Sequence, residues 1–278
     1  FTGSHRGGRA LFDLANQRPE PIPVFAEMGS VNPIFLLPER LKKDADALAA
    51  QIAASVNLGA GQFCTNPGLL VCIENADTPH FIRALQTAFA AQPALTMLNP
   101  GIHRNYTQHK NAMLGIAEVA TEFAASEAQE TLNAPPAVAS VSAQDFLANP
   151  RLQEEIFGPF SLLVKCKNQM EMEQVAAALQ GPFTATVMGE AAEILAYPTL
   201  LQYLQEKVGR LIFNGVPTGV EVGHAMQHGG PYPATTDSRF TSVGTSAIKR
   251  FARPIAFQDC PDNLLPEALR DSNSLKIS

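Results

Sequence analysis

The stretch Gly59-Ala60-Gly61-Gln62-Phe63-Cys64-Thr65-Asn66-Pro67-Gly68 lies between a helical pattern and a strand pattern. Before it, residues 38–58 carry Leu41, Ala45, Leu48, Ala49, Ile52, Ala53 and Val56 at the spacing of one helix face. After it, Leu69-Leu70-Val71-Cys72-Ile73 is a continuous apolar run of strand length. A helix that passes through an irregular junction into a buried strand is one unit of an alternating α/β fold. The Gly-Ala-Gly and Asn-Pro-Gly runs keep the backbone irregular on both sides of the sulfur. A backbone N–H there can face a bound oxygen, the setting that a thiolate nucleophile needs. The other reading of Cys64 is a small buried hydrophobe. Two further stretches favour the nucleophile: Ala26-Glu27-Met28-Gly29-Ser30 and Glu154-Glu155-Ile156-Phe157-Gly158-Pro159.

The same alternation runs outward from this centre. Val24-Phe25-Ala26 reads as a short strand leading to Glu27, and Ile34-Phe35-Leu36-Leu37 as a second strand. A glutamate between two apolar runs is either a paired structural acid or a base with a raised pKa. Helices are expected over 78–91, 114–125, 170–179 and, with a break at Pro198, 191–208. Strands are expected over 137–141, 160–164, 183–188 and 210–213. The fold class is therefore α/β, an open, mostly parallel sheet with flanking helices. Residues 215–244 are rich in Gly, Pro and Thr, and a loop of that length is usually functional. A short helix at 246–251, a late edge-type strand over Arg253-Pro254-Ile255-Ala256-Phe257-Gln258 and a surface tail from Pro261 complete the chain. At the other end, a helix begins near Ser4 or His5. Gly3-Ser4 at its N-terminus suits a phosphate or serves as an ordinary cap.

Composition narrows the classes. With 46% hydrophobic and 17% charged residues, 278 residues can bury a sizeable core. The net charge of −6 and the lack of any Lys/Arg cluster set nucleic acid aside as a partner. No stretch approaches a membrane span. The four cysteines, Cys64, Cys72, Cys166 and Cys260, form no C-x-x-C pair, so a zinc ribbon is not indicated. So few cysteines fit a reducing, cytoplasmic compartment. His224-x-x-x-His228 has the spacing of helical zinc ligands, but the surrounding glycines argue for a loop, and no metal is expected. The chain opens on Phe1-Thr2-Gly3-Ser4, without an initiator Met or signal-peptide character, as if it began inside a longer protein.

Taken in order, F-T-G-S, A-E-M-G-S-x-N-P, G-A-G-Q-F-C-T and E-E-I-F-G-P-F resemble the aldehyde dehydrogenase superfamily. The resemblance covers essentially the whole chain and implies the C-terminal half or so of such an enzyme. It implies Cys64 as the nucleophile and Glu27 as the general base that activates the hydrolytic water. It also implies Glu155 on the nicotinamide ribose, Phe157 near the nicotinamide ring, and Gly3 and Ser4 beside the dinucleotide. The implied cofactor is NADP or NAD, with NADP favoured. The implied divisions are 1–30 as a remnant of the cofactor-binding domain, 31–245 as the catalytic domain, and 246–278 as a segment with an oligomerisation strand and tail. Departures from the commoner motifs, Met28-Gly29-Ser30 and Gln227-His228-Gly229-Gly230-Pro231-Tyr232 among them, point to the branch acting on 2-oxoglutarate semialdehyde. The implied partners are a small aldehyde, further copies of the chain, and an N-terminal half that would supply most of the dinucleotide fold and an oxyanion asparagine.

Two other classes remain. One is a catalytically incomplete fragment that serves as an oligomerising or interaction domain. The other is a cysteine hydrolase pairing Cys64 with His103, His109, His224 or His228, although no local signature places any of these beside the sulfur. No residue is identified as holding a substrate carboxylate. Arg239 is available for that in the long loop.

Overall fold

In the computed structural model, which describes residues 1–126, 132–219 and 221–276, helices and strands largely alternate as far as Phe213. The order is α1 (His5–Asn16), β1 (Ile34–Leu36), α2 (Pro38–Asn57), β2 (Leu69–Ile73), α3 (Thr78–Ala90), β3 (Leu95–Thr96), α4 (Pro100–Leu114), β4 (Ala120–Ala124) and β5 (Asn133–Ala134). There follow β6 (Ala137–Ser142), α5 (Ala143–Ala148), β7 (Phe160–Cys166), α6 (Gln169–Ala178), β8 (Thr184–Met188), α7 (Ala191–Ile194), α8 (Pro198–Lys207) and β9 (Arg210–Phe213).

Seven strands form one sheet in the order β4-β6-β7-β2-β1-β8-β9. Every neighbouring pair is parallel except the edge pair β4–β6. A parallel sheet is covered on both faces, and successive side chains feed opposite cores. Phe35, Val71, Val164 and Val187 join Phe146, Met172, Leu200 and Leu204 on one face. Ile34, Leu36, Leu70, Cys72 and Leu163 meet α2 and α3 on the other through Leu41, Leu48, Ile52, Phe81 and Phe89. Parallel strands also bring the segments that enter them to one rim. The residues before β1, β2, β7, β8 and β9 therefore gather at a single edge, and these include the quoted motifs.

Several expectations are corrected. Residues 114–125 are not a helix. Helix α4 ends at Leu114, and Ala120–Ala124 is a strand antiparallel to β6. The start of α4 is fixed by Asn99, whose Oδ1 accepts the Ile102 N–H at 3.0 Å, with Pro100 in the first turn. Val24-Phe25-Ala26 is not a ladder strand either. Thr236 Oγ1 accepts the Ala26 N–H (2.9 Å) and donates to the Val24 carbonyl (2.6 Å), so a side chain takes the place of a strand neighbour. Arg253 to Gln258 is exposed and pairs with no strand among the described residues, although β4 and β9 leave the sheet two edges. Residues 245–251 form a 3-10 helix, and 215–219 with 221–244 lack helix and strand. Among the described residues, no helix is long and apolar enough to cross a membrane.

Candidate active site

The loop that carries Cys64 is built from an unusual turn. Gly59, Ala60 and Gly61 all have positive φ (57°, 57° and 66°), a left-handed turn that reverses the chain out of α2. Gly61 is sterically required, since a Cβ there would lie 2.2 Å from the Gly158 carbonyl carbon. The turn leaves Cys64 half-buried at the rim, just before β2.

Asn32 ties that loop to the neighbouring strands. Buried and left-handed (φ 42°), it donates from Nδ2 to the carbonyls of Cys64 (2.9 Å) and Asn66 (3.0 Å). Its Oδ1 accepts the Ser30 hydroxyl at 2.8 Å and, from β8, the Thr184 hydroxyl at 3.2 Å. Asn66 Nδ2 donates to the Gly158 carbonyl (3.0 Å), and the Ser161 hydroxyl donates to the Pro67 carbonyl. The three motifs are thus stitched together by amide and hydroxyl groups rather than by packing alone.

Glu27 is buried and lies at the middle of three backbone segments. Its N–H donates to the Phe1 carbonyl (2.9 Å), and its carbonyl accepts the Gly3 N–H (3.0 Å). It also bridges antiparallel to Thr235. Its carboxylate accepts from Arg250 Nη2 at 2.9 Å and lies 3.8 Å from His228 Nε2. Glu27 is therefore an ion-paired carboxylate in the resting site.

The same His228 Nε2 lies 3.0 Å from Cys64 Sγ. Burial pushes the Cys64 thiol up, and the charge of Glu27 pushes it further. Burial holds His228 below the usual imidazole range, against the pull of Glu27 and with the help of Arg210 and Arg250. The resting pair is accordingly a neutral thiol beside a neutral imidazole that can accept its proton.

Glu155 and Phe157 share a cleft with Ser30 and Asn66. Burial pushes the Glu155 carboxyl up to about 7, opposed by the Ser30 backbone N–H. Gly29 makes room for it, since a Cβ there would lie 2.5 Å from Glu155 Oε2. Ser4 caps α1, its Oγ accepting the Gly7 N–H at 3.2 Å, and the Gly3 N–H is spent on Glu27. Cys72 is buried in β2, with its thiol pushed up to about 12 by burial.

The structure brings together Cys64, Glu27 and a residue that the motif reading gave little weight, His228. Arg250 and Asn32 were not singled out at all. In the sequence His228 stands only as one of four histidines that could pair with Cys64, and its place between glutamine and Gly-Gly sets it apart from the others. His224 Nδ1 lies 3.4 Å from Thr245 Oγ1, while His228 turns to the sulfur, so the two do not converge as metal ligands. Arg239 is exposed and forked onto Asp237 at 2.6 and 2.9 Å.

The profile of the aldehyde dehydrogenase family matches residues 1–232. Alpha-ketoglutaric semialdehyde dehydrogenase 2 of Azospirillum brasilense is 47% identical over 277 residues, covering 100% of this chain and 53% of that protein. Alpha-ketoglutaric semialdehyde dehydrogenase of Acinetobacter baylyi is 43% identical over 281 residues, with the same 100% and 53% coverage. Among solved structures, indole-3-acetaldehyde dehydrogenase complexed with NAD+ superposes with a TM-score of 0.75 at 16% identity, over 90% of this chain and 50% of that one. That last likeness concerns fold alone. The chain spans about half the length of the curated relatives it matches.

Proposed function

The chain belongs to the aldehyde dehydrogenase family, and from that premise we propose that it is the C-terminal, thiol-bearing portion of an NAD(P)-dependent aldehyde dehydrogenase. The substrate is 2-oxoglutarate semialdehyde, oxidised to the dicarboxylic acid, and NADP is the favoured cofactor. Both close relatives carry that semialdehyde in their names. The observation that carries the reading is the convergence of Cys64, His228 and Glu27 at one rim of the sheet.

In this reading the Cys64 sulfur attacks the aldehyde carbon, and its proton passes to His228 Nε2. The Cys64 backbone N–H faces the oxygen of the resulting thiohemiacetal. A bound nicotinamide dinucleotide supplies the hydride acceptor that makes the thioester possible. Glu27 then takes a proton from the water that cleaves the thioester, and the thiol leaves with a proton. For Glu27 to do this, Arg250 must share or release its carboxylate.

The cleft beside Glu155 fits the ribose and nicotinamide half of such a cofactor. It presents two acceptors, the Glu155 carboxyl and a buried Asn66 Oδ1 that lacks a donor, next to the ring of Phe157. Gly3 and Ser4 would flank the dinucleotide from α1. Residues 1–30 would close the cofactor-binding unit, 31–245 would be the catalytic unit, and 246–278 the oligomerising segment, in which Ile255 and Phe257 are exposed. The protein would work in a reducing cytoplasm as a homo-oligomer.

The test is NADP-dependent oxidation of 2-oxoglutarate semialdehyde by this chain with its complementary N-terminal half, with Cys64→Ala as control. Oxidation is expected only with both parts and only with the thiol. Turnover by this chain alone would overturn the two-part reading.

The 3.0 Å contact between Cys64 and His228 also supports a second reading, cofactor-free hydrolysis of activated esters by the chain alone. Ester hydrolysis that disappears in Cys64→Ala, from a chain that never oxidises an aldehyde, would favour it.

A further inference from the structure

Arg210 opens β9 at the rim where the site lies. Its Nη2 donates to the Pro217 carbonyl at 2.9 Å, and its Nε is buried with no acceptor. Among the described residues no carboxylate lies within ion-pair distance of it. The other arginines near the active end are taken: Arg250 by Glu27 and Arg239 by Asp237. The backbone that carries Arg210 packs directly on the loop that carries His228, since a Cβ on Gly209 would lie 2.0 Å from the Gly229 carbonyl oxygen. Arg210 thus starts from the strand end that abuts the loop of the histidine that touches Cys64. Its charge is felt at both Cys64 and His228. A partly buried guanidinium with no carboxylate partner is stabilised by an anion that completes it.

We propose that Arg210 is the anchor for a carboxylate on the substrate, so that the site selects aldehydes whose far end is anionic over neutral aldehydes. With Nη2 committed to Pro217 and Nε shielded from solvent, Nη1 is left without a partner among the described residues, and a planar guanidinium aims that donor at a carboxylate more rigidly than a flexible lysine would. Arg210 makes no covalent contribution. It holds the substrate while Cys64 reacts. This inference rests on the reading of Cys64 as the nucleophile, but it does not require the redox step.

The test uses this chain and two alkylating probes, anionic iodoacetate and neutral iodoacetamide, with Cys64 modification followed by peptide mass spectrometry. Each forms an S–C bond and expels iodide, so the ratio of the two rates cancels the thiolate fraction. Arg210→Gln is expected to lower the iodoacetate-to-iodoacetamide ratio about tenfold, the scale of one charge-assisted hydrogen bond. Arg210→Lys should retain much of the ratio, and Arg239→Gln should leave it unchanged. An unchanged ratio in Arg210→Gln overturns the proposal. Should that variant fail to fold, the unmodified chain still decides the matter. Glutarate should protect Cys64 from iodoacetamide while its dimethyl ester does not, and equal protection or none overturns the proposal. If selectivity appears but aldehyde oxidation never does, the dehydrogenase reading fails and the anchor stands. If oxidation proceeds with no preference for anionic aldehydes, the anchor fails and the dehydrogenase stands.

Discussion

The side-chain amide of Asn32 donates to the carbonyl oxygen of Cys64 at 2.9 Å, so the loop that bears this cysteine is fastened by a residue of the glutamate motif. Asn32 is buried, adopts a left-handed backbone that asparagine tolerates better than most residues, and bonds to both flanking strand entries. Asn32→Ala strands several buried donors and acceptors at once. The expected loss is about 3 kcal/mol of stability, read as a lower urea midpoint. Asn32→Asp, which cannot donate to the two carbonyls, should lose nearly as much.

Replacing His228 removes the proton acceptor beside Cys64. His228→Gln should slow alkylation of Cys64 by iodoacetamide at pH 7.5 by about tenfold, the lower end of what a positioned base contributes. Far-UV circular dichroism should stay unchanged, because the imidazole sits on a loop outside the sheet.

The thiol is held up by burial and by the charge of Glu27. Glu27→Gln removes the negative charge and frees the positive charge of Arg250 close by. Both effects favour thiolate. The pH profile of Cys64 alkylation is therefore expected to shift to lower pH in Glu27→Gln, and a shift to higher pH would contradict this geometry. Oxidation by the complete enzyme should fall in the same variant if Glu27 has its proposed role of activating water.

The Glu27–Arg250 pair is almost fully desolvated, with side-chain exposures of 6% and 11%. Breaking one side leaves a buried charge, so Arg250→Met should cost about 3 kcal/mol. The double variant Arg250→Met with Glu27→Leu should recover most of that loss in thermal melts, because replacing both charges removes the desolvation cost itself.

Glu155 titrates near 7 in the fold, against about 4.5 for the free side chain. Between those values the folded chain binds a proton that the unfolded chain has released, so stability falls as pH rises from about 4.5 to 7. Glu155→Gln should be neutral below that window and stabilising by about 2 kcal/mol above it, measured as Tm at pH 8 against pH 4. In the complete enzyme the same change should weaken cofactor binding.

The sheet was legible because its strands are short runs that are apolar on both faces, and the helices around Leu41 and Phe81 declare themselves by spacing. Helix α4 was not, because its inward positions are Tyr106, Lys110 and Met113, and a lysine in the middle of that face hides the periodicity. The expected strand at Arg253–Gln258 failed for another reason. Alternating residues describe what a segment can pair with, and within this chain Arg253–Gln258 lies beside neither edge of the sheet in a strand ladder. In the site, local motifs pointed to Cys64, Glu27 and Glu155, each within a few neighbours of its signal. His228 stands 164 residues from Cys64, and Arg250 stands 223 residues from Glu27. No spacing rule reaches that far, and only the common rim of the sheet brings them together.

The seat of Glu27, between residues 1–3 on one side and Thr235 on the other, sets an order of events during synthesis. A ribosome that has released the chain through β9 has delivered every strand of the sheet, together with the sulfur. It has not yet delivered the imidazole, the guanidinium of Arg250 or the backbone that closes over Glu27. Over the 164 residues from Cys64 to His228 the nascent protein therefore carries an unaccompanied cysteine. The reactive group is assembled only when the segment from His228 to Arg250 has emerged, after the scaffold that must hold it is already in place.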